Sequence, residues 1–172
     1  MTVDALRSYR TGEDDNLIDD VFNGLNELGL SGLIIPEEYG GLGLDSLFAI
    51  SVSESLGKGV APYPFIGSFL IAPFLINKLG SDSQKQKYLP SIANGEYRFA
   101  VALTEMTGRR IEKGIQSSKQ KLSGQSLFVM DDIHSTHYLI LDSDGALHIV
   151  EAEESGLEMV ELKTVDITSF VS

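Results

Sequence analysis

The apolar residues of this chain change their spacing near residue 97, and that change constrains the fold more than any other feature. Before it, Leu17, Ile18, Val21, Phe22, Leu25 and Leu28 recur at helical intervals. After it, apolar residues come in short runs of strand length: FAVAL from Phe99, SLFVM from Ser126, HYLIL from His137 and ALHIV from Ala146. Helices followed by strands, rather than alternating with them, predict an α+β chain. The expected parts are an all-helical domain over residues 1–97 and an antiparallel β-domain over residues 98–172.

Punctuation residues set the expected boundaries. Asp14 and Asp15 are capping candidates for the first helix, and Gly29 suits the left-handed position just past it. Leu33–Ile35 leads into Pro36, which forbids further helix, and PEEYGGLG reads as a glycine-rich loop. Asp45 caps a second helix with Leu47, Phe48, Val52 and Leu56 as its apolar residues, ended by Gly57 and Gly59. A third helix is expected from Ile66 to Leu79. Ser81 and Gln84 have the spacing of a capping box for a fourth, which should end at Pro90. Asn94-Gly95 marks a turn, QSSKQKL alternates like one strand, and Asp142-Ser143-Asp144-Gly145 reads as a hairpin turn. LEMVEL alternates in a way that leaves its buried face open.

Composition excludes several classes. The formal net charge is −12, with 13 Lys+Arg against 25 Asp+Glu, whereas a nucleic-acid binder needs a cationic face. There is no cysteine, so disulfides, thiolate catalysis and thiolate metal sites are ruled out. The N-terminus lacks the apolar core of a signal peptide and is too acidic for a transit peptide. The greasiest stretch, Phe65 to Ile76, is well short of the roughly 20 apolar residues that span a bilayer. A cytoplasmic protein that binds neither membrane nor nucleic acid is the expectation.

Motifs for other chemistry fall short. Gly41-Leu42-Gly43-Leu44-Asp45-Ser46 lacks the third glycine of a dinucleotide fingerprint. No phosphate-binding P-loop and no G-x-S-x-G elbow occurs. His134 and His137, near Asp131 and Asp132, have spacing a zinc site could use, but they read as a surface cluster in a turn, so no metal is expected. His148 reads as a half-exposed strand residue. Glu37 and Glu38 read as a solvated loop pair rather than a catalytic dyad.

The stretch ELGLSGLIIPEEYGGLGLD resembles the N-terminal signature of acyl-CoA dehydrogenases. So do ESLGKGVAPYPF and LGSDSQKQKYLPSIANGEYRFAVALTE, the second ending in a Thr104-Glu105 dipeptide that resembles the family's junction into its middle domain. KLSGQSLFVMDDIHSTHYLILDSDGALHIVEAEESGLEMVELKTVDITS resembles the middle domain more loosely, with a glycine turn at Gly124 and an Asp-x-Thr at Asp166. The resemblance implies a helical domain, a barrel-like β-domain that is incomplete here, and a C-terminal four-helix bundle beyond Ser172. It implies FAD as cofactor and α,β-dehydrogenation of an acyl-CoA thioester. The family's catalytic glutamate lies in the bundle, so no residue here is assigned as catalytic base. Such a reaction needs a desolvated carboxylate and hydrogen bonds to the thioester oxygen.

The site residues follow from the same resemblance. Leu103 and Thr104 match positions that meet the flavin ring; the other readings are a core leucine and a strand-end threonine. Phe128 and Met130 match the aromatic and hydroxyl positions of a second flavin-facing motif, although an aromatic at strand spacing such as Phe128 is more often a core residue. Met130 has no hydroxyl to donate. Arg109 and Arg110 stand where the family has a small-residue loop near phosphate and substrate. They read either as phosphate or acyl-CoA contacts or as solvated loop cations. The resemblance further implies a homo- or hetero-oligomer with a bundle-containing dehydrogenase subunit. Three readings stay open: a piece of a flavoenzyme, a non-catalytic subunit or scaffold, and a remnant without activity of its own.

Overall fold

The computed structural model describes residues 4, 8, 16–59, 61, 65–103, 114–119 and 121–160. Helix α1, Leu17–Glu27, buries Ile18, Phe22 and Leu25 along one face. It follows Asn16, and the expected caps Asp14 and Asp15 lie outside the described residues. Gly29 takes the left-handed conformation just past it, as its position demanded. The chain then makes two short 3-10 turns, Leu30–Gly32 and Glu37–Tyr39. The glycine-rich loop folds back on itself: the N–H groups of Leu42, Gly43 and Leu44 donate to the carbonyls of Gly32, Ile35 and Leu33. A Cβ on Gly41 would stand 2.1 Å from the Ile35 carbonyl oxygen, so only glycine permits that approach.

Helix α2, Ser46–Lys58, starts on the Asp45 carboxylate, which accepts from the N–H groups of Leu47 and Phe48. Its expected apolar face is corrected. Ala49 is buried, and Val52 and Leu56 pack against the core, whereas Leu47 and Phe48 turn outward at 68% and 54% exposure, with Ile50. The helix is apolar on more than one side, so periodicity alone does not choose the buried stripe.

The third helix has the expected limits but two geometries. Residues Ile66–Ile71 form a π-helical segment that runs into α3, Ala72–Leu79. Pro73 has no N–H to offer the preceding turn and its ring crowds it, and the wider π turn absorbs that conflict. Helix α4, Asp82–Ala93, begins on the expected Ser81/Gln84 capping box. Its expected end at Pro90 is corrected, because the helix continues to Ala93. The lost bond falls at the carbonyl of exposed Gln86, while Leu89 and Ile92 on either side of the proline are fully buried. Their burial outweighs the roughly 3 kcal/mol that an interior proline costs.

Five strands follow among the described residues: β1 Phe99–Ala102, β2 Gln116–Ser118, β3 Lys121–Ser123, β4 His137–Leu141 and β5 Leu147–Glu151. QSSKQKL is not one strand but the β2–β3 hairpin, and SLFVM is not a regular strand. The main sheet has the order β1-β4-β5. β4 and β5 pair antiparallel as expected, joined by the Asp142–Gly145 turn, but β1 pairs parallel with β4. The sheet is therefore mixed, and no closed barrel forms among the described residues. The long connection from β1 to β4 allows the parallel pairing, which a tight turn would forbid. No described helix is long and apolar enough to cross a membrane.

Alternation gives the sheet two covered faces. Phe99, Val101 and Leu139 join Ile35, Ala72, Ile76, Leu89 and Ile92 in one core beneath the helices. Ala100, Ala102, Tyr138 and Ile140 join Ile115 and Val129 on the other face. A third core holds α1 against the first residues of the π segment through Phe22, Phe65 and Phe69.

Candidate functional site

The residues of the candidate site meet at the C-terminal end of β1. One edge of β1 is taken by β4 along its length. Among the described residues the other edge is met only locally. Phe99 N–H donates to Ser68 Oγ at 3.1 Å, and Val101 exchanges two backbone bonds with Met130, at 2.9 and 3.0 Å. This antiparallel bridge is isolated, and the chain leaves strand geometry at Phe128, two residues before Met130. The structure thus brings Met130 to the edge of β1 and packs it with Leu103 against one core, with Phe128 just before the bridged residue.

Their environments differ. Leu103 and Met130 are partly buried and pack against the core beneath β1. Phe128 is 60% exposed and has φ +56°, so the reading of it as a core strand residue is corrected: backbone in the left-handed region turns its ring away from the core. Buried Val129 takes the core place instead, on the far face of the sheet. Met130 spends both backbone groups on Val101, and its side chain ends in a thioether without a donor. Thr104, Arg109 and Arg110 lie outside the described residues.

The segment after Met130 is tied to the helices. Asp131, also left-handed at φ +64°, sends its carboxylate to the first turn of the π segment. There Oδ2 accepts from Gly67 N–H at 2.5 Å and Ser68 N–H at 3.2 Å. Burial pushes the Asp131 carboxyl up to about 6, against the downward pull of the two amides. Ile133 packs on the α1 core, and His134 Nδ1 lies 3.1 Å from Asp19. Arg98 bonds Asp19 at 2.6 Å and lies over the Phe22 ring. Arg98 and His134 hold the Asp19 carboxyl below its usual value despite some burial.

Sequence reading missed the role of Asp131, which figured there only as a possible zinc neighbour. The available signal was the start of the third helix: Phe65 stands at its cap position and has no side chain that can cap. Among the described residues no group of three or more possible metal ligands forms. His137 is not a surface residue. It is buried at the start of β4, stacked on Phe99 at 5.1 Å and beside Tyr97, and burial holds its pKa down. His148 is partly exposed, as expected, and bonds Asp142 at 2.8 Å across the β4–β5 hairpin. Glu37 and Glu38 are exposed, as a solvated pair should be.

Residues 4–96 match the family model of the acyl-CoA dehydrogenase N-terminal domain. A probable acyl-CoA dehydrogenase of Bacillus subtilis is 36% identical over 120 residues, which cover 66% of this chain and 18% of that protein. The solved acyl-CoA dehydrogenase of Bacillus anthracis, complexed with FAD, superposes with a TM-score of 0.75 at 25% identity, over 98% of this chain and 31% of that one. A solved steroid ACAD variant gives a TM-score of 0.82 at 27% identity, over 99% of this chain and 48% of that one. The chain therefore spans less than half of each of these relatives. On the match over its helical part and the likeness over its described fold, the chain belongs to the acyl-CoA dehydrogenase family.

Proposed function

We propose that this chain supplies the helical layer and one flavin-facing wall of an FAD-dependent acyl-CoA dehydrogenase, and that the catalytic base is contributed from outside this sequence. Exposed Phe128 carries the reading. An aromatic ring held outward by a left-handed backbone, just before the residue bridged to β1, fits a flat partner that stacks on it. A ring meant for the core would be buried.

FAD, when bound, accepts the hydride that leaves the β-carbon of the thioester. The chain's own residues bind and shield. Leu103 and Met130 offer apolar walls that keep water from the reacting centre, and Phe128 orients by stacking. Thr104 belongs to the same wall, and Arg109 and Arg110 meet phosphate or acyl-CoA, on resemblance alone. Met130 departs from the family pattern, and a flavin polar atom facing it needs its partner elsewhere. Asp131 is the one described carboxylate pushed well up by burial near this edge, but its Oδ2 already serves two amides, so it is not the base.

The boundary at residues 97 and 98 belongs to this proposal. It is supported by the family match ending at residue 96, although β1 shares its core with the helices. So do a cytoplasmic location and an oligomer with a bundle-containing subunit. Met130 favours one further reading, a subunit that takes flavin or acyl-CoA without doing chemistry. The test is to mix the purified chain with FAD and a bundle-containing dehydrogenase subunit, then record the flavin spectrum and acyl-CoA oxidation. Flavin retained with turnover only in the mixture supports the enzyme reading. Flavin retained without turnover supports the non-catalytic one. Protein left colourless once free FAD is removed overturns both.

A further inference from the structure

We propose that Asp131 is a positioning residue: seated on the bare first turn of the π segment, its carboxylate holds residues 128–131 in the conformation that turns Phe128 outward. The inference rests on the reading of Phe128 as flavin-facing.

A helix leaves its first N–H groups without partners, and the residue at the cap position normally supplies an oxygen. Phe65 occupies that position here and makes no side-chain cap bond. The missing oxygen comes instead from far along the chain, where Asp131 Oδ2 accepts from Gly67 and Ser68. The fit is close. A Cβ on Gly67 would lie 2.7 Å from Asp131 Oδ2 and 2.9 Å from Val101 Cγ2, so the turn must present bare backbone. Ser68, whose N–H bonds Asp131, also accepts from Phe99 N–H through its Oγ. One helical turn therefore fixes both β1 and the segment bridged to it.

What is fixed is strained. Phe128, Asp131 and His134 all have positive φ, a conformation costly for residues with a Cβ. Met130 is pinned by Val101, and His134 lies against Asp19. Asp131 is the anchor between them that reaches the helix. Its charged neighbour on its own segment is Asp132, which pushes its carboxyl up further, while the π segment offers it only amides.

The test is amide hydrogen exchange on the wild type, Asp131→Asn, Asp131→Ala and Gly67→Ala. Asparagine can still accept both amides, so protection at Gly67, Ser68, Val101 and Met130 should stay within about threefold of the wild type. Asp131→Ala and Gly67→Ala should lose at least about tenfold at those amides, with Leu89 and Leu139 unchanged. Unchanged protection of Val101 and Met130 in Asp131→Ala, or an equal loss everywhere, overturns the proposal. FAD titration in the mixture with the bundle-containing subunit separates it from the reading beneath it. Weaker uptake by Asp131→Ala but not Asp131→Asn supports both. Equal uptake by wild type and Asp131→Ala overturns the positioning role and leaves the flavin reading standing. No uptake by the wild type overturns the flavin reading, and the exchange pattern alone then decides whether Asp131 positions Phe128.

Discussion

The two edges of β1 teach different lessons. On one, β4 pairs residue for residue, from Phe99 opposite His137 to Ala102 opposite Ile140. On the other, a single bridge among the described residues, at Val101 and Met130, joins a segment whose backbone is left-handed at Phe128, Asp131 and His134. The first edge is regular, buried on both faces and built for stability. The second is irregular, leaves an aromatic ring in solvent and is held by polar anchors to helices distant in sequence. Strain of that kind persists only where surrounding contacts determine it, and it collects at functional sites.

Four changes bear on this contrast. The largest effect is expected on the regular side. Phe99→Ala should lower stability by about 3–5 kcal/mol, because the ring is fully buried between α4 and His137. Chemical denaturation measures it, and a loss under about 1 kcal/mol would deny that this edge carries the core.

The next concerns pH. The Asp131 carboxyl titrates near 6 when folded, against an ordinary value of 3.8. Between those values the folded chain keeps a proton that the unfolded chain has lost. Wild-type stability should therefore fall relative to Asp131→Asn as pH rises from about 4 to about 6, by at most ~3 kcal/mol, and then stay level. Parallel curves for the two proteins would remove Asp131 from the account.

Arg98→Ala should cost about 1 kcal/mol, since it loses both the Asp19 pair and the contact with the Phe22 ring. Added salt should shrink part of that difference, because Asp19 is partly exposed. The smallest effect is expected at Phe128. Phe128→Ala should leave stability within about 0.5 kcal/mol while weakening FAD uptake, since an exposed ring contributes little to the core. A large stability loss there would make it a structural residue after all.

The same contrast explains what the sequence made legible. The Ser81/Gln84 box, the Asp45 cap, Gly29 and the Asp142–Gly145 turn are local signals, and each formed where its residues stand. The errors arose where distant packing decides. Pro90 stays inside α4 because Leu89 and Ile92 are buried around it, and Leu47 and Phe48 face outward because α2 has more than one apolar side. The parallel pairing of β1 with β4 joins residues too far apart for any local pattern to show. At the candidate site the run SLFVM promised a strand, but the Met130 bridge and the reach of Asp131 to Gly67 make it an anchored loop.

The proposed function puts flavin against the irregular edge of β1. The direct measurement is to follow backbone amide shifts while FAD is added to the labelled chain in the presence of a bundle-containing subunit. Leu103, Phe128 and Met130 should move together while His148 and Ile149 on β5 stay still. Shifts confined to β5, or FAD bound with Phe128 undisturbed, would contradict it.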